Sequence, residues 1–127
     1  DARLFRIAEM AVGEANNRKP DTWSAVLWWV AAHKRSKHFD VLHLALSQQS
    51  ISVRTAATRV IGGLRASPAA LKVLDRALTD DATEVRRAAF HAARSMDHPE
   101  AAMRLFKAQT REKDPALQKL LAELLSD

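Results

Sequence analysis

Apolar residues recur along this chain at helical spacing. Counting from Val53, they fall at offsets 0, 3, 4 and 7: Val53, Ala56, Ala57 and Val60. The same offsets from Val85 pick out Ala88, Ala89 and Ala92, and from Leu117 they pick out Leu120, Leu121 and Leu124. A fainter copy is Trp23, Val26, Leu27 and Val30. Each set is one face of an α-helix. The anchors Val53, Val85 and Leu117 stand 32 residues apart, and Trp23 stands 30 before Val53. A fixed period of this length predicts a helical repeat array, in which stacking buries what one unit cannot bury alone.

Each unit carries a second helix. Ser67-Pro68 and Asp97-His98-Pro99 are helix starts, because proline suits a first-turn position that needs no amide donor. Leu71, Leu74 and Leu78 follow the first start, and Ala102, Leu105 and Phe106 follow the second, all expected on core faces. Ser36 caps a helix bearing Phe39, Leu42 and Leu46, and Leu4, Ile7, Ala8 and Ala11 mark another. Asp81 with Glu84 reads as a capping box before Val85, and Asp114 caps before Pro115. Connections of about two to six residues make successive helices antiparallel neighbours. The prediction is one all-α domain over residues 1–127. It comprises a second helix at 1–16, full repeats at 21–48, 50–79 and 82–112, and a last first helix at 114–127. The sequence opens at Asp1 without an initiator Met and is read as a fragment of a longer protein.

Residues 78–106, LTDDATEVRRAAFHAARSMDHPEAAMRLF, carry an acidic turn at Asp80 and Asp81, then Val85-Arg86 followed by Ala88-Ala89. A short Asp97-to-Ala101 link leads into the second helix. This stretch closely resembles HEAT repeats of the phycobilisome-lyase-like type. KDPALQ at 113–118 repeats the turn, and Ser52-Val53-Arg54 with Gly62 repeats the first helix. The resemblance covers the chain from about residue 46 onward. The first unit departs from the pattern, with Trp23 at the aliphatic position, Ser24 at the arginine and Lys34-Arg35 in the link. The resemblance implies a right-handed α-α superhelix, a HEAT-like solenoid of about four helical hairpins, with second helices lining its concave side. It also implies that Arg54 and Arg86 pair with acidic turns of neighbouring repeats.

The 127 residues include 20 Lys plus Arg, 15 Asp plus Glu and no Cys, giving a formal charge of +5. Disulfides, thiol nucleophiles and thiolate metal sites are excluded. The longest apolar run, Ala25 to Ala32, is too short to span a membrane, and a cytoplasmic setting is expected. No H-E-x-x-H, G-x-S-x-G, P-loop or G-x-G-x-x-G motif occurs, so neither cofactor nor enzyme chemistry is expected. Gly62-Gly63 is read as a helix packing pair. His33, His38 and His43 are spaced by five, which places neighbours about 140° apart on a helix and argues against a metal site. Asp40 and His43, three apart, are read as an ordinary helix-surface contact.

Charge is concentrated. Between His33 and Lys72 lie Lys34, Arg35, Lys37, Arg54, Arg59, Arg65 and Lys72 against the single acid Asp40, an excess of +6. Equal offsets align across first helices and place Trp29, Arg59 and His91 in one row and Trp28, Thr58 and Phe90 in the next. Trp28, Trp29 and Phe90 are therefore expected either partly exposed near Arg59, as a binding hot spot, or packed sideways between repeats. On the second helices, matching positions align His43, Lys72 and Met103 in one row and Ser47, Arg76 and Lys107 in another, with Arg104 beside them. Two functions fit. The first is a non-catalytic module binding another protein or another domain of its own chain, as most HEAT-like arrays do. The alternative is a nucleic-acid-binding domain in the style of the DNA alkylation-repair solenoids. The catalytic Asp and concave aromatics of those glycosylases find no residue-by-residue match here.

Overall fold

The computed structural model describes residues 20–33 and 39–126. Seven helices fill them: α1 (Pro20–His33), α2 (Phe39–Leu46), α3 (Ile51–Ile61), α4 (Pro68–Leu78), α5 (Thr83–Met96), α6 (Pro99–Arg111) and α7 (Pro115–Leu125). There is no strand among the described residues. The helix expected around Leu4 to Ala11 and the cap expected at Ser36 lie outside them. Helices α1, α3, α5 and α7 pack side by side as one layer, and α2, α4 and α6 pack as a second. The inner first helices also pack on the second helices before and after them; α5, for example, touches α4 and α6. The fold is an α-solenoid.

Helix starts follow the local chemistry. Ser50, Ser67 and Asp114 accept the amides of Val53, Ala70 and Leu117 at 3.3, 3.2 and 3.0 Å. His98 caps α6 with its ring, Nδ1 accepting from the Glu100 amide at 3.1 Å. Pro68, Pro99 and Pro115 each take a first-turn position, as their sequence context predicted. The capping box at Asp81 and Glu84 does not form: α5 begins after Ala82, which has no side-chain cap. Asp80 satisfies the Ala82 amide instead, at 2.9 Å, and Asp81 reaches back to Arg54. Helix α5 ends at Asp97, the single described non-glycine residue with positive φ, at 48°. Asp tolerates this left-handed conformation better than most residues do, and it turns the chain sharply into α6.

Arg54 and Arg86 repeat one geometry. Arg54 Nη1 donates to the carbonyls of Gln48 and Gln49 at 3.0 and 2.8 Å, while Nε and Nη2 grip Asp80 at 3.0 and 3.2 Å. Arg86 Nη1 donates to the carbonyls of Asp80 and Asp81 at 2.9 and 3.0 Å, and its Nε and Nη2 grip Glu112 at 2.9 and 3.1 Å. In both, the guanidinium ties the turn before its own helix to the carboxylate 26 residues downstream. Glu112 Oε2 also accepts the amides of Lys113 and Asp114 at 3.1 and 3.0 Å. The pairing expected from the family resemblance is therefore present, with Glu112 as the second acid. In α7 the same position is Gln118, which keeps one such bond, to the Glu112 carbonyl at 2.7 Å.

Burial revises the register of α1. Relative to Val53 and Val85, helices α3 and α5 share burial at offsets 0, 4, 5 and 8: Val53, Ala57, Thr58 and Ile61; Val85, Ala89, Phe90 and Ala93. In α1 the buried Val26, Leu27 and Val30 match this pattern when the anchor position is Thr22, one residue before Trp23. Trp23 then stands where Arg54 and Arg86 stand. It is buried at 1% exposure, and the residue 26 further on is Gln49, with no carboxylate to pair. A ring has replaced the ion pair. Gly62 closes α3 against α5, since a Cβ there would lie 3.2 Å from the Ala92 Cα, whereas one on Gly63 would meet nothing closer than 3.7 Å. Only Gly62 serves the close helix approach, and both glycines sit just past the helix end.

Candidate functional site

On the second-helix layer, α4 presents Arg76 to α2. Its Nη1 donates to the His43 carbonyl at 2.8 Å and its Nη2 to Ser47 Oγ at 2.6 Å. Ser47 in turn donates to the His43 carbonyl at 3.0 Å. These acceptors are uncharged, so Arg76 is held in place without being neutralised. His43 Nδ1 lies 3.4 Å from the same guanidinium. Burial, then the charges of Arg76 and Lys72, push the His43 imidazole below its ordinary pKa, and Asp40 only partly opposes them. These influences favour the uncharged form of His43. The aligned row of Ser47, Arg76 and Lys107 is thus in direct contact at its first step.

Lys72 and Lys107 are exposed, and no ion pair among the described residues uses them. Arg104 differs: its Nε meets Asp75 at 2.6 Å and its Nη1 meets Glu100 at 3.4 Å, so its charge is compensated locally. The Asp75 hydrogen bond, aided by the charges of Asp75 and Glu100, outweighs its desolvation and holds its pKa above the ordinary value. Two apolar side chains stand on α6 in the same layer. Met103 is 54% exposed and Phe106 is 53% exposed. Phe106 was expected in the core; α6 turns Ala101, Leu105 and Ala108 inward instead and leaves the ring outside. Its four-residue spacing from Ala102 matched a helix face, but a single helix cannot show how wide its covered arc is.

The first-helix layer changes the aromatic expectation. Phe90 is 1% exposed and lies in the interior with Leu78 of α4 and Ala108 of α6. It is a core residue rather than a contact residue, because α5 is covered from both the first-helix and the second-helix side. The corrected register puts Trp28, not Trp29, in the row of Arg59 and His91. Trp28 is 72% exposed, whereas Trp29 is half-buried against the core. The concentrated +6 also disperses. Lys34, Arg35 and Lys37 lie outside the described residues, Arg54 is paired internally, and Arg59, Arg65 and Lys72 occupy α3, the α3–α4 turn and α4. His38 also falls outside the description.

Among the described residues no group of three or more His, Cys, Asp or Glu side chains is arranged to hold a metal, and no helix is long and apolar enough to cross a membrane. What the second-helix layer offers is a set of exposed cations, of which Arg76 is held in place, with the exposed Met103 in the same layer. The chain matches no curated protein and no solved structure closely enough to count as a relative. A family profile described as HEAT repeats does match, over residues 39–126. That span holds α2 through α7, both layers and both arginine ties. With its two-layered helical array and this match over most of its length, the chain belongs to the HEAT-repeat family.

Proposed function

We propose that this chain is a non-catalytic HEAT-repeat module that binds an acidic segment, from another protein or from another domain of its own chain, across its second-helix layer. HEAT repeats generally serve as protein-interaction scaffolds. The observation that carries the reading is the state of three cations: among the described residues Lys72 and Lys107 have no counter-ion, and Arg76 is oriented by neutral groups. Met103, at the position of α6 that matches Lys72, is exposed and supplies an apolar anchor, and an acidic peptide with a large apolar residue matches both features. Trp28, Trp29 and Arg59 form a reserve surface on the first-helix layer. A cytoplasmic setting suits such a module.

The test uses a fluorescein-labelled peptide of alternating Glu and Leu and, in parallel, a generic DNA duplex, each titrated with the chain at about 50 and 200 mM salt. The peptide is expected to bind. Lys72→Glu and Arg76→Glu should each weaken it by about tenfold, since each converts an attraction into a repulsion. Met103→Ala should weaken it without altering its salt dependence. If Trp28→Ala is damaging and the charge reversals are silent, the partner lies on the first-helix layer. Duplex binding that falls steeply with salt, with no peptide binding, replaces this reading with the nucleic-acid one.

A further inference from the structure

Between the first helices α3 and α5, on the side away from the second-helix row, lies a cleft of about 370 Å³. Its polar lining is Thr55 and Arg59 from α3 and Glu84, Arg87, His91 and Ser95 from α5. Small residues make the floor, because the close approach at Gly62 and Ala92 leaves no side chain to fill the gap. Arg59 and Arg87 are exposed, and neither takes part in an ion pair among the described residues. Glu84 is the one acid in the lining against Arg59 and Arg87, so the cleft carries a net positive charge.

An independent observation comes from Thr55. The residue is 8% exposed, and its hydroxyl, almost wholly covered, has no hydrogen-bond partner. Three residues further along the same helix, Thr58 shows the ordinary solution, donating to the Arg54 carbonyl at 2.7 Å. Buried hydroxyls are nearly always paired, and an unpaired one that lines a cationic cleft is a donor in need of an acceptor. Two guanidiniums, two hydroxyls and an imidazole exceed what one planar carboxylate can engage. They suit a tetrahedral group with three or four acceptor oxygens and two negative charges.

We propose that this cleft binds a phosphate dianion, with Arg59 and Arg87 as charge partners, Ser95 and His91 as rim donors and Thr55 as the floor donor. The group comes either free, as inorganic phosphate, or as a phosphorylated side chain. The site is separate from the second-helix row, and it stands or falls independently of that reading.

The experiment follows the His91 ring and the Thr55 methyl by NMR in the whole chain at constant ionic strength. Inorganic phosphate is titrated in one arm and a short capped phosphoserine peptide in the other. Saturable shifts at His91 and Thr55 are expected within about 20 mM of added ligand. The arm that binds more tightly identifies the source. Arg59→Gln and Arg87→Gln should each weaken binding by about tenfold. Thr55→Val keeps the side-chain shape and removes the donor; it should weaken phosphate by about fivefold while leaving thermal stability equal or higher, an outcome that a merely structural threonine would not produce. No saturable shift in either arm, or equal binding by wild type and Arg59→Gln, overturns the proposal.

Discussion

A residue's role here depends on which sides of its helix are covered. Phe90 and Trp28 are both large aromatics just outside the simple apolar stripe, yet one is sealed and the other stands in water. Truncating Phe90 to Ala should cost about 3 to 5 kcal/mol, because it leaves a ring-sized void between α4 and α6. Trp28→Ala should stay within about 0.5 kcal/mol. Urea denaturation of the two variants measures the difference, and similar losses would show that the burial assigned to these two side chains is wrong. That aromatics mattered at these positions was visible in their spacing. Which of them faced solvent was not, since spacing describes one helix and burial depends on its neighbours.

At the scale of the element, Gly62 and Glu112 each join a helix to what it packs on. Gly62→Ala would push a Cβ to within 3.2 Å of the Ala92 backbone, so α3 and α5 would have to part by a few tenths of an ångström. It should destabilise by about 1 kcal/mol or more, whereas Gly63→Ala, whose Cβ would make only an ordinary contact at 3.7 Å, should stabilise by about 0.4 to 1 kcal/mol by restricting the unfolded chain. Chemical denaturation of the pair reads both signs. Glu112 is opposed by its burial, which raises a carboxyl's pKa. The Arg86 hydrogen bond, the Asp114 amide, the Arg86 charge and the Lys113 amide together outweigh that and hold it below the ordinary carboxylate value. A carboxyl depressed in the folded state contributes stability above its unfolded pKa and loses it as pH falls toward the folded one.

Glu112→Gln should therefore lower stability at neutral pH by about 2 to 4 kcal/mol, because Arg86 is left partly buried without its counter-charge. It should also flatten the loss of stability below about pH 4.5. Denaturation midpoints from pH 3 to 7 test both, and a variant with the wild-type acid slope would rule out this linkage. The basis for the ties was legible in the repeated Arg and the acidic turn. The choice of Glu112 as the second acid was not, nor was the substitution of an indole for the tie at Trp23. Both depend on which turn lies beside which helix.

The whole molecule has no single centre. Helix α5 packs on α3, α4, α6 and α7, whereas α7 packs chiefly on α5 and α6. In an array held by neighbour contacts, opening is local and begins where fewest neighbours must be released. Leu121→Ala, at a fully buried site of α7, should speed amide exchange in α7 and α6 while leaving α3 close to its wild-type rate. Uniform acceleration along the chain would show one cooperative unit instead. The same architecture separates the two candidate surfaces: the second-helix row and the α3–α5 cleft lie on opposite layers, so occupation of one need not disturb the other.

Hydrophobic period, proline-led caps and the recurring arginine were enough to determine an all-helical array of stacked hairpins, because these signals are local and the repeat states them several times over. Chain order alone left open the rotation of each helix about its own axis. A one-residue shift in α1 moves Trp28 into the row of Arg59 and His91 and puts Trp23 in the place of an arginine. Packing from both layers takes Phe90 inside, and narrower cover on α6 leaves Phe106 outside. Charge shows the same division. The excess of +6 was countable in the sequence, but Arg54 is consumed by Asp80, and the described remainder is spread over helices and a turn. Only contacts between residues distant in the chain decide which cations are already paired, and so which remain to meet a partner.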